Sequence, residues 1–200
     1  MTNLLKRLNS SPKNYVGMLQ IHGTKVVAVD KKDAEGSIEN CDGLLTRNPN
    51  ITLRISVADC IPLALFDPTT NSICLVHAGW RGLYKGIISK AINLMVKKYG
   101  VDPSGVIAEI GPHICQKHYE IKSDVAVFFP GYPKAIKSIE NRLFLDLAMV
   151  AKEQLIESGL KAKKIIIDHQ CTYEDALLPS YRRGDFKKRI YYFLKIPDSP

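Results

Sequence analysis

Several large classes are closed to this sequence by what it does not contain. No apolar run approaches the length of a membrane-spanning helix, and the opening MTNLLKRLNSSPKN never builds the continuous apolar core of a secretory signal. Five cysteines, Cys41, Cys60, Cys74, Cys115 and Cys171, form an odd, widely spaced set with no C-x-x-C. That pattern opposes a disulfide framework and predicts reduced thiols, buried or liganding, in a cytoplasmic protein. No G-K-[ST] ends a glycine-rich loop, so the nucleotide triphosphatase loop is absent. The five histidines (His22, His77, His113, His118, His169) include no H-x-H pair. A blue-copper centre with a trinuclear cluster needs a far denser supply, which weighs against multicopper oxidation. Neither an internal repeat nor a low-complexity segment is visible.

What is present begins with charge. A formal net charge of +8 makes the surface attractive to anions, whether nucleotides, phosphate or nucleic acid. The lysine pairs at 31–32, 97–98 and 163–164 and the FKKR run at 186–189 are scattered, without a zinc-finger or RNP signature. They read as solvated surface, and a non-catalytic basic nucleotide- or nucleic-acid-binding module stands as an alternative.

Hydrophobic periodicity gives strands at Tyr15 to Ile21, Thr24 to Val29, ITLRISV, PLALFD, NSICLVHAG, GVIAEIG, Lys164 to Asp168 and RIYYFLKI. Three- and four-residue apolar spacings predict one helix from Leu83 to Gly100. A second helix is expected in DLAMVAKEQLIESG, capped by Asp146 and stopped by Gly159. Strands that follow strands before the first long helix argue for an α/β domain of the α+β kind. We expect residues 1–200 to form a single layered α/β/α domain with a mixed sheet.

The stretch VHAGWRGLYKG concentrates chemistry. A strand, a glycine turn and a helix start would offer free N–H groups to an anion, with Arg81 as a bidentate phosphate partner and Gly79 and Gly82 allowing close approach. The same glycines also suit a turn chosen for geometry alone. His77 lies there too, His22 falls at a strand break in QIHG, and Cys60 follows Asp59 in VADCIPL. A His, Cys, His set at strand ends matches a catalytic zinc site with an open fourth position. Gaps of 38 and 17 residues do not establish it, since His22 also suits a turn and Cys60 a small buried hydrophobe.

Taken in order, LQIHGTKV, VADCIPL, VHAGWRG, IGPHICQKHYEI and CTYEDALLPSYRR resemble the successive signatures of the laccase-domain family, from about Leu4 to Arg183. Its members were once called multicopper polyphenol oxidoreductases and are now regarded as zinc-dependent purine nucleoside phosphorylases. The resemblance implies zinc held by His22, Cys60 and His77, and phosphorolysis of adenosine, inosine, guanosine and S-methyl-5'-thioadenosine by inorganic phosphate, with possible adenosine deaminase activity. In that scheme Arg81, Gly82 and Arg182 are candidates for substrate or phosphate, and Asp59 for proton handling. A metal-dependent polyphenol oxidoreductase is the remaining alternative. Family members usually carry an N-terminal segment with T-R-x-G-G-x-S and S-L-N-L-G stretches, and this sequence starts beyond both; either the start is misplaced or the protein is truncated, and a truncated protein is expected to lack part of the core sheet and pocket wall. Near the other end R-R-D-x-x-T-G-R has become RRGDFKKR, and Pro179 stands where phenylalanine is usual.

Overall fold

A computed structural model describes residues 4–7, 12 and 14–196. The strands are β1 (Lys6–Arg7), β2 (Tyr15–Leu19), β3 (Val26–Ala28), β4 (Gly36–Glu39), β5 (Gly43–Thr46), β6 (Thr52–Val57), β7 (Ile61–Asp67), β8 (Ser72–Ala78), β9 (Ile107–Ile110), β10 (Glu120–Ile121), β11 (Ile136–Ile139), β12 (Arg142–Leu145), β13 (Ile165–Ile167) and β14 (Ile190–Leu194). The helices are α1 (Trp80–Tyr84), α2 (Ile87–Tyr99), α3 (Ser123–Ala126) and α4 (Leu147–Glu157). The fold is mixed α/β, as the element order implies. Among the described residues three sheets form, in the orders β13-β9-β7-β8-β5-β3, β1-β14-β6-β2-β4 and β10-β12-β11.

The six-stranded sheet is the middle layer because both its faces are apolar. All seven residues of β8 are buried. Strand alternation sends Cys74 and Val76 to one side, where Ile88, Ala91 and Met95 of α2 and Val150, Ala151 and Leu155 of α4 pack on them. Ile73, Leu75 and Leu44 face the other way, against Leu53, Ile55 and Val57 of β6 and Leu194 of β14. The five-stranded sheet thus occupies the outer position that the α/β/α reading gave to helices. Its β6 alternates buried Leu53, Ile55 and Val57 with half-buried Arg54 and Ser56, a pattern that needs apolar cover on one face only.

The helix expected from Leu83 to Gly100 is two helices. Gly86 sits at φ +77 between them, a left-handed conformation that breaks the helical ladder at little steric cost to glycine. α4 follows its expected signals, with Asp146 Oδ1 accepting the Met149 N–H at 2.8 Å and Gly159 at φ +98 beyond its end. The hairpin β7–β8 turns through Asp67, whose Oδ2 accepts from the Thr70 amide at 3.0 Å and the Thr70 hydroxyl at 2.7 Å.

Leu63 is fully buried at the contact between the middle sheet and the helices. Replacing it with alanine should lower stability by about 2–5 kcal/mol, the cost of an unfilled aliphatic cavity, read as a reduced denaturant midpoint at unchanged m-value.

Candidate metal centre

Topology gathers three distant residues at one end of the sheets. β2 and β6 run parallel, so the segments leaving them emerge side by side: His22 lies three residues past Leu19, and Cys60 three past Val57. β7 then returns antiparallel to β8, pairing Ile61 with Ala78 and Pro62 with His77, which sets Cys60 beside the end of β8. One donor atom from each of His22, Cys60 and His77 lies within 4.8 Å of the other two. The rings of His22 and His77 meet edge to face, 4.7 Å between centroids. Cys60 thus belongs to this cluster, and His22 is the turn histidine at φ +58 that faces it.

Asp42, which the sequence reading passed over inside a polar connection, organises the cluster. It immediately precedes β5, whose antiparallel pairing with β8 lays it beside His77, and its side chain is fully buried. Oδ1 lies 2.8 Å from His77 Nδ1 and accepts the His22 N–H at 2.9 Å, while Oδ2 accepts the Gly23 N–H at 2.7 Å and the Ile21 N–H at 3.3 Å. A buried carboxylate costs several kcal/mol in lost hydration, and these contacts offset it. Bonding through Nδ1 leaves His77 Nε2 free for a metal. The only advance signal was an aspartate directly before a strand.

Gly79 explains itself at the same place. A Cβ there would stand 2.8 Å from Cys60 Sγ and 3.4 Å from His22 Cδ2, so glycine makes room for the donors themselves. Gly82 is a packing position, with its absent side chain facing the Gly23 carbonyl and Ile87 at 3.3 and 3.4 Å. The ligand-approach role expected of Gly82 does not match that enclosure. The helix start offered to an anion also shrinks, because α1 is only five residues long.

Electrostatics favour a liganding state. Burial opposes charge on Cys60, yet His77 beside it and hydrogen bonds from both imidazoles outweigh burial and bring its thiol below the ordinary value. For His77 burial likewise opposes charge, while Cys60 and Asp42 outweigh it and raise its pKa. Each residue favours the charged form of the other. One thiolate and two imidazoles suit a borderline divalent ion such as zinc, with a fourth position open.

These donors border a cavity of about 680 Å³, also lined by Trp80, Arg81, Tyr119, Tyr181, Arg182 and Arg189. Arg81 stacks on Trp80 at 4.4 Å, and Arg182 lies 5.2 Å from the Tyr119 ring centre, its Nη1 donating to the His118 carbonyl at 3.3 Å. The proton-handling role expected of Asp59 meets a different set of contacts. Oδ1 accepts from the Thr172 hydroxyl at 2.6 Å and Oδ2 from the Arg182 amide at 2.7 Å, so both oxygens fasten the 172–182 loop. Arg183 is structural too, donating to the carbonyls of Thr172, Tyr173 and Asp175 and pairing with Asp185 at 2.7 Å. His113 and His169 line a separate cavity against α4, and His118 turns to Glu174.

Comparison with known proteins shows the family. Residues 1–190 match the family described as multi-copper polyphenol oxidoreductase laccase, and the chain belongs to that family. A purine nucleoside phosphorylase of Corynebacterium glutamicum is 34% identical over 178 residues, 86% of this chain and 70% of that relative. An adenosine deaminase from an unknown prokaryotic organism is 27% identical, over 76% of this chain and 63% of its own length. The solved structure of YlmD from Geobacillus stearothermophilus superposes with a TM-score of 0.87 at 27% identity, covering 93% of this chain and 74% of that one. No helix among the described residues is long and apolar enough to cross a membrane.

Two outcomes follow from the centre's construction. Asp42→Asn weakens zinc binding about 10–100-fold, because the amide no longer serves as a charged acceptor for His77; competition with a chromophoric chelator measures this. With the Cys60 thiol lowered and the His77 imidazole raised by each other, the metal-free pair keeps one proton at neutral pH that a metal must displace. Zinc uptake therefore releases about one proton per ion at this centre and tightens as pH rises, which calorimetry in buffers of different ionisation enthalpy reads directly.

Proposed function

We propose that this chain is a zinc-dependent purine nucleoside phosphorylase that cleaves adenosine, inosine, guanosine and S-methyl-5'-thioadenosine with inorganic phosphate. The observation that carries the reading is a His22, Cys60, His77 donor set opening into a cavity that also holds three guanidinium groups and three aromatic rings. Phosphate and a purine are what such a lining recognises. The family membership and the names of the relatives support the same conclusion.

In phosphorolysis a phosphate oxygen forms a bond to the anomeric carbon while the glycosidic bond breaks and its electron pair leaves with the purine. Arg81 and Arg182 are assigned to the phosphate, whose charge their planar forks can meet bidentately. Trp80, Tyr119 and Tyr181 offer flat faces to the base. Asp42 orients His77 and the His22 turn, and Asp59 positions the backbone that carries Arg182. When bound, zinc supplies a Lewis acid with one exchangeable position. Held oriented in the cavity, phosphate and nucleoside react as partners already in place, which removes much of the entropic barrier.

Adenosine deamination at the same centre is a second activity, favoured by the relative named adenosine deaminase. A reduced Cys60 is required for either activity, which suits a reducing cytoplasm.

The test is release of free purine base from adenosine, inosine and methylthioadenosine, with and without phosphate, followed by chromatography. Release that depends on phosphate supports phosphorolysis, and inosine formed from adenosine without phosphate supports deamination. Cys60→Ala and His77→Ala should each remove one zinc per chain and reduce turnover by roughly a hundredfold or more, the several kcal/mol a Lewis acid contributes. Base release unchanged in either variant overturns the reading.

A further inference from the structure

A second set of metal donors stands apart from the first. Cys115, His118 and Glu174 present a sulfur, a ring nitrogen and a carboxylate oxygen that all lie within 4.8 Å of one another. None of them belongs to the centre described above. They come from two segments far apart in sequence: the irregular stretch after β9 supplies Cys115 and His118, and the loop after β13 supplies Glu174.

Local contacts hold each donor in place. His118 stacks on Tyr173, 4.4 Å between ring centres and 22° between planes, and its Nε2 lies 2.9 Å from Glu174 Oε1. The Cys115 amide donates to Cys171 Sγ at 3.3 Å, and an isolated parallel bridge pairs His113 with Cys171 one turn of chain away. Lys117 also reaches Glu174, at 3.1 Å, from a side chain that is 75% exposed and free to swing into water. The arrangement is a partly exposed cluster of unlike donors, with Glu174 open to solvent and one displaceable cation beside it.

We propose that Cys115, His118 and Glu174 form a second binding site for a zinc-class divalent ion. Sulfur and imidazole select a borderline ion over calcium or magnesium, and three protein donors leave one position for water. On binding, the Cys115 thiol gives its proton to solvent as the sulfur–metal bond forms, His118 Nε2 turns from Glu174 to the ion, and the Lys117 ammonium leaves the carboxylate. The ion then ties the 115–118 segment to the 171–175 loop. Those segments lead directly to Tyr119 and Arg182, which line the large cavity, and Arg182 already grips the His118 carbonyl. The second ion is a strap across the cavity wall, remote from the bond-making atoms.

Cobalt(II) separates the two centres, because thiolate coordination gives an intense near-ultraviolet charge-transfer band. In a Cys60→Ser variant the first centre has no sulfur, so a band in the cobalt-loaded full chain reports Cys115. It should vanish in Cys60→Ser/Cys115→Ser and titrate at least about tenfold more weakly in Cys60→Ser/His118→Gln. Zinc content measured in parallel on the wild-type chain should reach two ions, falling to one in Cys115→Ser, with circular dichroism confirming that each variant is folded. No band in Cys60→Ser, a band that survives loss of Cys115, or a zinc content that Cys115→Ser leaves unchanged overturns the proposal. Should Cys115→Ser fail to fold, zinc binding by the Glu174→Gln chain decides it, with unchanged stoichiometry and affinity overturning the proposal. Because His77→Ala leaves this site intact, failure here is distinguishable from failure of the phosphorylase reading.

Discussion

One buried carboxylate holds the candidate centre together. Asp42 is sealed from water and bonded at once to the ring of His77 and to the backbone of Ile21, His22 and Gly23. An anion in that position is tolerable only while every contact is made, since its lost hydration costs several kcal/mol. The consequence is rigidity: the β2–β3 turn that carries His22 and the end of β8 that carries His77 cannot separate without exposing or orphaning the same charge. The two sheets meet at this point, so the geometry of a metal centre and the docking of two β layers rest on one set of hydrogen bonds.

Around that fixed point, polar residues divide the labour. Asp59 looks from the sequence like a reactive group, yet its oxygens, like the guanidinium of Arg183, spend their hydrogen bonds on loop carbonyls, hydroxyls and amides. Arg81 and Arg182 keep guanidinium surface toward the cavity. The chain uses buried or half-buried ions as fasteners and leaves more exposed guanidinium groups at the cavity wall, an economical arrangement where desolvation is costly.

Long apolar patterns made much of the fold legible. β6, β7, β8, β9 and α4 fall where their periodicities place them, because each is long enough for its burial pattern to outweigh local noise. The three-stranded sheet of β10, β11 and β12 escaped notice, its strands being short and half exposed. The break at Gly86 was hidden by apolar spacing that continues on both sides of it. The layer order also needed the structure, since alternation shows that a strand has one apolar face and not whether a helix or a second sheet will cover it.

The sequence by itself determined the types of the long elements, the mixed α/β class, the family resemblance and the three residues His22, Cys60 and His77 as a set to consider. Periodicity and short motifs are local properties, and they survive without knowledge of the rest of the chain. Tertiary structure alone decided that parallel pairing of β2 with β6 and the hairpin of β7 with β8 bring those residues to one point, and that Asp42 stands behind them. It likewise showed Asp59 at the cavity wall with both oxygens bonded to the 172–182 loop, and Gly82 packed against the Gly23 carbonyl. Convergence of residues many positions apart is fixed by strand register and by the burial of one charge, and neither is written in the spacing of the residues themselves.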